Sequence, residues 1–99
     1  MKLRILESAS QDLIEAFCFY EKQKPGLGNY FTETLFSDID SLQIYAGIHA
    51  VFFNNYHRML SKRFPFAIYY RIKENEVLIY AILDCRRNPA WIRKKLEKS

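Results

Sequence analysis

The spacing of apolar residues changes near the middle of the chain, and that change limits the folds open to it. Between Ser8 and Tyr45 they return every three or four positions: Leu13, Phe17 and Tyr20, then Phe31, Leu35, Ile39 and Leu42. That is the repeat of one face of an α-helix. From Tyr56 to Asp84 the chain runs in alternating stretches rich in Tyr, Phe, Ile and Val, the repeat and composition of β-strands. Helices followed by adjacent strands point to an α+β domain, with the helices on one face of a mainly antiparallel sheet.

The punctuation refines this reading. Lys2 to Leu6 alternates and reads as a first strand. Ser8 with Gln11 three residues later forms a capping-box pattern for the first helix. Lys24-Pro25-Gly26-Leu27-Gly28 breaks that helix, and a second runs from about Asn29 to Tyr45, so the two form an antiparallel hairpin. Three strands are expected at Tyr56–Lys62, Phe64–Lys73 and Glu76–Asp84. Asn88-Pro89, an N-cap followed by proline at the first helical position, opens a last helix reaching about Lys98. The expected order is β-α-α-β-β-β-α, as a single domain over residues 1–99; a chain of 99 residues has room for one core.

Alternation and a two-residue loop at Glu74-Asn75 pair Ile72 with Val77 and sort the faces of the last two strands. One face holds Phe64, Phe66, Ile68, Tyr70 and Ile72 against Val77, Ile79, Ala81, Leu83 and Cys85. It is almost wholly apolar and belongs under the helical hairpin. The other holds Arg63, Pro65, Ala67, Tyr69 and Arg71 against Leu78, Tyr80, Ile82, Asp84 and Arg86. Arginine and tyrosine among aliphatics suit a recognition surface. The competing expectation is that Trp91, Ile92 and Leu96 of the last helix cover it.

Charge is distributed unevenly. Residues 1–50 carry four Lys or Arg against seven Asp or Glu, a net of −3, whereas residues 51–99 carry eleven against four, a net of +7. A concentrated positive field favours an acidic partner. Arg86 and Arg87 precede the last helix, at the positive end of its dipole, an arrangement that becomes favourable when an anion sits there. The candidate binding residues are therefore Arg58, Lys62, Arg63, Tyr69, Arg71, Tyr80, Arg86, Arg87 and Trp91.

Other classes find little support. No apolar run reaches the ~20 residues that span a bilayer. The start, Met1-Lys2-Leu3-Arg4-Ile5, lacks a signal-peptide core, so the expected location is the cytoplasm. Cys18 and Cys85 are read as two buried thiols rather than a disulfide framework. His49 and His57 lack the neighbours of a metal site, and neither a metal nor a cofactor is expected.

Three stretches in order carry a resemblance. They are Phe64-Pro65-Phe66-Ala67-Ile68-Tyr69-Tyr70-Arg71-Ile72; Val77-Leu78-Ile79-Tyr80-Ala81-Ile82-Leu83; and Arg86-Arg87-Asn88-Pro89-Ala90-Trp91. With Glu7-Ser8-Ala9-Ser10-Gln11-Asp12-Leu13 and Tyr56-His57-Arg58-Met59-Leu60 they resemble the RelE/ParE toxin superfamily over nearly the whole chain. The resemblance implies the toxin of a bacterial type II toxin–antitoxin module, such as a ParE-like plasmid stabilisation toxin. It also implies an antitoxin whose acidic and apolar C-terminal segment wraps and neutralises it, in a hetero-oligomeric complex.

Within the superfamily, RelE-like members cut mRNA on the ribosome and ParE-like members poison DNA gyrase. Cleavage by a 2′-hydroxyl needs a proton acceptor, a proton donor and cations on the phosphate. The chain has the cations, at Arg58, Lys62, Arg63, Arg86 and Arg87, but Asp84 stands where many relatives carry His, and Ala67 aligns with a catalytic arginine of the nucleases. The nuclease tyrosine falls near Trp91 or Ile92, neither of which transfers a proton. No catalytic residue is assigned. The expectation is a ParE-like toxin that acts by binding. The alternatives are a ribosome-dependent mRNA endoribonuclease and a basic nucleic-acid-binding module.

Overall fold

A computed structural model describes residues 1–98. The chain runs β1 (Lys2–Ile5), α1 (Glu7–Gln23), α2 (Leu27–Tyr45), β2 (Val51–Phe53), β3 (Tyr56–Leu60), β4 (Phe66–Lys73), β5 (Glu76–Asp84) and α3 (Pro89–Glu97). The strands form one sheet in the order β1-β5-β4-β3-β2. All neighbours are antiparallel except β1, which lies parallel to β5 with Leu3 beside Val77 and Ile5 beside Ile79. The expected α+β order is present, with one further strand, β2. It is three residues long and returns into β3 through Asn54 and Asn55, both at positive φ, which asparagine tolerates better than other residues bearing a Cβ.

The hairpin of α1 and α2 is closed by local chemistry. Gly26 takes φ +92°, a conformation that favours glycine. The Glu21 carboxylate accepts hydrogen bonds from the N–H groups of Gly26 (2.9 and 3.1 Å) and Gly28 (2.9 Å), so α1 supplies the N-terminal cap of α2. At Gly28 the helices approach so closely that a Cβ would lie 2.8 Å from both the Phe17 carbonyl oxygen and its ring, and 2.9 Å from the Glu21 Cβ. α2 accordingly begins at Leu27, two residues before its expected start. The capping box at Ser8 does not form. α1 begins at Glu7 behind Leu6, and the Ser8 hydroxyl donates to the Tyr80 carbonyl across the fold at 2.7 Å.

Under the hairpin lies the larger core: Ala9, Leu13 and Ala16 of α1; Phe31, Leu35, Ile39 and Leu42 of α2; and Met59, Ile68, Tyr70, Val77, Ile79 and Ile82 of the sheet. Tyr20, Phe31, Phe64 and Phe66 seal one end, with Phe31 at 5.0 Å centroid separation from each of the other three. The other face of the sheet is also a core. Tyr56, Ala67, Tyr69, Ala81 and Leu83 pack with Ile92 and Leu96 of α3, and the Tyr56 hydroxyl donates to the Leu96 carbonyl at 3.1 Å. The Asn88 side chain caps α3 at the Ala90 N–H (2.7 Å), with Pro89 in the first turn, as the sequence indicates.

The face assignment along β5 changes at one residue. Ile72 pairs with Val77 and Tyr70 with Ile79, in the expected register, but Tyr69 pairs with Ala81, leaving Tyr80 as an extra residue in a β-bulge. Every later side chain of β5 is thereby moved to the opposite face. Ile82 points under the hairpin, whereas Ala81 and Leu83 lie under α3, the reverse of the expectation. The cause is long-range. β1 pairs with β5 no further than Ile79, and α1 covers the edge beyond, where Ser8 takes the Tyr80 carbonyl and Asp12 Oδ2 accepts from the Ile82 N–H at 3.0 Å. The cysteines also differ from expectation. Cys18 is exposed on α1, and Cys85 is half-buried, since β5 ends at Asp84.

Candidate functional surface

Much of the sheet face expected to be bare is covered. Tyr69 is fully buried in the core beneath α3 and offers no surface. Its register partner across the strand pair is Arg58, half-buried, whose guanidinium carbon stands 5.0 Å from the centre of the Phe52 ring. Burial pushes the Tyr69 hydroxyl above the ordinary tyrosine range, while Arg58 pulls it the other way. Ala67, fully buried, lies two residues from Tyr69 on the same strand.

Arg71 is built into this face against two rings that meet edge to face. Its guanidinium carbon lies 3.9 Å from the Tyr56 ring centre and 5.4 Å from that of Tyr80, and one nitrogen donates to the Asn54 carbonyl at 2.7 Å. Arginine stacks on aromatic faces because its charge is delocalised and weakly hydrated. Arg71 and Tyr80, candidates from the sequence, are thus brought together, and Tyr56 joins them.

The cations at the mouth of α3 take different partners. Arg86 pairs with Asp84 through two hydrogen bonds (2.7 and 3.0 Å), and this proximity holds the Asp84 carboxyl below its ordinary range. Arg87 stands over Trp91, its guanidinium carbon 3.8 Å from the ring centre. The two guanidinium forks expected to frame one anion spot are therefore engaged separately, the first already by a carboxylate. Lys62 and Arg63 lie elsewhere, in the loop after β3. Arg63 donates to the Tyr30 hydroxyl of α2 at 2.7 Å, on the hairpin side rather than on the opposite face. Buried Asp38 of α2 anchors this loop by accepting from the Ser61 hydroxyl at 2.7 Å and the Lys62 N–H at 3.4 Å. The candidates thus fall into four places: Arg58 with Tyr69, Arg71 with Tyr80, Arg87 with Trp91, and the Lys62–Arg63 loop, with Arg86 neutralised beside the third.

Two constellations escape a sequence reading. Beyond the end of β1, a groove of about 320 Å³ runs between α1 and α3, lined by Asp12, Glu15, Phe19, Asp84, Arg87, Trp91 and Lys95 among others. Burial raises the Asp12 carboxyl to about 6, against the opposing pull of its bond from Ile82 and of Lys95. The sequence held a signal for this. Asp12 sits beside Ala9, Leu13 and Ala16 on the buried stripe of α1, where a carboxylate requires a partner.

The second constellation unites the only two histidines. The Tyr70 hydroxyl accepts from the Gly47 N–H at 2.9 Å and meets His49 Nδ1 at 2.6 Å, while His57 Nδ1 donates to the His49 carbonyl at 2.7 Å and its ring stacks on Tyr70. Burial, then the neighbouring His57, holds the His49 imidazole below its ordinary range. His57 lies on the face opposite Arg58, as alternation requires. Among the described residues no group of three metal-ligating side chains forms, and no helix is long and apolar enough to cross a membrane.

No family model matches the sequence, and no curated protein matches it. Among solved structures, a chain of the "Chromosomal ParDE TA system from P. aeruginosa" superposes with a TM-score of 0.76 at 22% identity, covering 83% of this chain and 92% of that one. The two chains share a ParE-like fold.

Proposed function

We propose that this chain is the toxin of a type II toxin–antitoxin module, that it acts in the cytoplasm by binding and inhibiting DNA gyrase, and that an acidic antitoxin neutralises it. The observation that carries the reading is the superposition on a chain of a ParDE toxin–antitoxin system over most of both chains. The surface supports a mode of action by binding. Arg58, Arg71 and Arg87 are held in fixed orientations on rings, and guanidinium and aromatic groups presented in this way are suited to desolvated contacts. Tyr69, the ionisable partner opposite Arg58, is shifted away from proton transfer at neutral pH, which weighs against RNA cleavage there.

One observation favours the second reading, ribosome-dependent cleavage of mRNA. Asp12, with its pKa raised to about 6, shares a groove with Arg87 and could exchange a proton near a phosphate. Direct binding to naked nucleic acid is a third possibility; it requires affinity that falls steeply with salt.

Purified protein separates these. The gyrase reading requires inhibition of DNA supercoiling, no cleavage of ribosome-bound mRNA, and little affinity for naked RNA or DNA. Arg87→Ala should weaken growth arrest more than Lys98→Ala at equal expression, with Arg86→Ala intermediate because Asp84 already engages that side chain. Asp12→Asn should leave arrest intact. Cleaved mRNA, with loss of cleavage in Asp12→Asn, would replace this reading with the second. Coexpression of a small acidic protein encoded beside the gene should restore growth.

A further inference from the structure

The hairpin of β4 and β5 runs past the neighbouring strand. Pairing of β3 with β4 stops at His57 beside Tyr70, whereas β4 stays paired with β5 as far as Lys73 beside Glu76. A notch of about 440 Å³ lies at this step, lined by Asn55, His57, Arg71, Lys73 and Tyr80 among others. No Asp or Glu lines it.

Two cations stand here without a counter-charge. Arg71 and Lys73 are two residues apart on β4, so their side chains leave the same face with their bases about 7 Å apart. Arg71 is half-buried, and its partners are the rings of Tyr56 and Tyr80 and the Asn54 carbonyl, all uncharged. Its Nε–H is buried and has no acceptor. Lys73 is exposed and, among the described residues, makes no hydrogen bond or ion pair. Glu76, opposite Lys73 in the register, stands 3.9 Å from Arg4 instead, and Glu74 lies in the turn outside the notch. A cation drawn partly out of water is costly unless an anion meets it, and a buried N–H without an acceptor adds to that cost.

We propose that the notch binds a small-molecule phosphate in its dianionic form, free or as a monoester, held by Arg71 and Lys73. The number of charges selects the ligand. A phosphate monoester carries about −1.5 to −2 at neutral pH and so matches two uncompensated cations. A carboxylate or a phosphodiester supplies one negative charge and leaves one cation unpaired. Arg71 is oriented in advance by the Tyr56 ring and the Asn54 carbonyl, so its planar fork loses little freedom on meeting phosphate oxygens. The notch is within the ~300–1,000 Å³ of small-molecule pockets, which leaves room beside Val51 and the Tyr80 ring for the group that the phosphate esterifies.

Amide and guanidinium N–H signals of the full chain, followed by NMR at constant ionic strength and about pH 7.5, test this. Inorganic phosphate and AMP should give saturable shifts centred on Asn55, Lys73 and the Arg71 Nε–H. Dimethyl phosphate and acetate, each with one charge, should bind about tenfold more weakly. Tighter binding of AMP than of phosphate assigns an ester, and equal binding assigns the free ion; both support the site. Lys73→Gln should weaken phosphate binding by about tenfold, Lys73→Arg should restore it, and Lys94→Gln on α3 should leave it unchanged. Arg71→Gln should abolish saturation, but it also removes packing on the rings, so the exposed Lys73 decides the outcome. Shifts spread over all basic residues without saturation mean an adventitious ion only and overturn the inference. So does Lys73→Gln binding like wild type, or dimethyl phosphate binding as tightly as AMP. The readout is binding alone, so failure of the toxin reading leaves this result untouched.

Discussion

The two faces of the sheet are both buried, but by different means. The hairpin face is closed by interlocking aliphatic and aromatic side chains from two long helices, tied by the Glu21 carboxylate and the close approach at Gly28. The opposite face is closed by a nine-residue helix that inserts Ile92 and Leu96, and guanidinium groups stacked on rings complete its margin. The first face is filled by apolar side chains, with the Tyr70 hydroxyl bonded at its margin. On the second, arginine is part of the wall, and the same side chain that packs can also meet a partner. A surface of this kind can be preorganised for recognition without leaving a large apolar area in water.

Truncation on each face gives the largest contrast. Leu35→Ala, in the hairpin core, should lower unfolding free energy by about 4 kcal/mol, and Ile92→Ala, beneath the shorter helix, by about 2 kcal/mol, measured by urea denaturation. Equal losses would break the distinction. Gly28→Ala forces a Cβ against the Phe17 carbonyl and should cost about 2 kcal/mol while leaving the α3 face unchanged in side-chain NMR shifts. Arg71→Lys keeps the charge but loses the guanidinium's contact with the Tyr56 ring; a loss of about 1 kcal/mol is expected, and a double-mutant cycle with Tyr56→Leu should show coupling.

The smallest effect sharpens the comparison at the seam between the faces. Asp12 has a pKa raised to about 6, so between roughly pH 4 and pH 6 the folded chain holds a proton that the unfolded chain has released. Stability therefore falls as pH rises through that window. Asp12→Asn, which can still accept from the Ile82 N–H, should flatten the slope and be at least as stable as wild type at pH 7. An unchanged slope would exclude Asp12 as its source. His49 acts with the opposite sign. Its lowered imidazole pKa makes stability fall as pH drops below ~6.5, so His49→Asn is the control that isolates the carboxylate.

Local signals explain which features the sequence reveals. The helical repeat, the break at Pro25-Gly26, the Glu74-Asn75 turn with both residues at positive φ, and the cap at Asn88-Pro89 all act within a few residues, and all are found. The bulge at Tyr80 is invisible in its own strand because its partners, Ser8 and Asp12, lie about seventy residues away. Missing it exchanges the faces of Ile82, Ala81 and Leu83. β2 is too short for alternation to register. The sequence marks Arg58, Lys62, Arg63, Arg71, Arg86 and Arg87 as candidate cations, but the pairing of Arg58, Arg71 and Arg87 with Phe52, Tyr56, Tyr80 and Trp91 depends on which neighbour folds beside them. Tyr69 reads as surface because its burial depends on α3, whose docking leaves no mark in the strand.

The pairing of β1 fixes the order in which the molecule can be completed. Its sole sheet neighbour is Glu76–Ile79, so the strand cannot be paired before β5 is in place, although Leu3 and Ile5 also pack on the core beneath the hairpin. The helical hairpin can close early from short-range contacts, whereas the opening strand must wait through a long loop closure. The groove beside Asp12 and the bulge that faces it join α1 to β5 and depend on the same long-range closure.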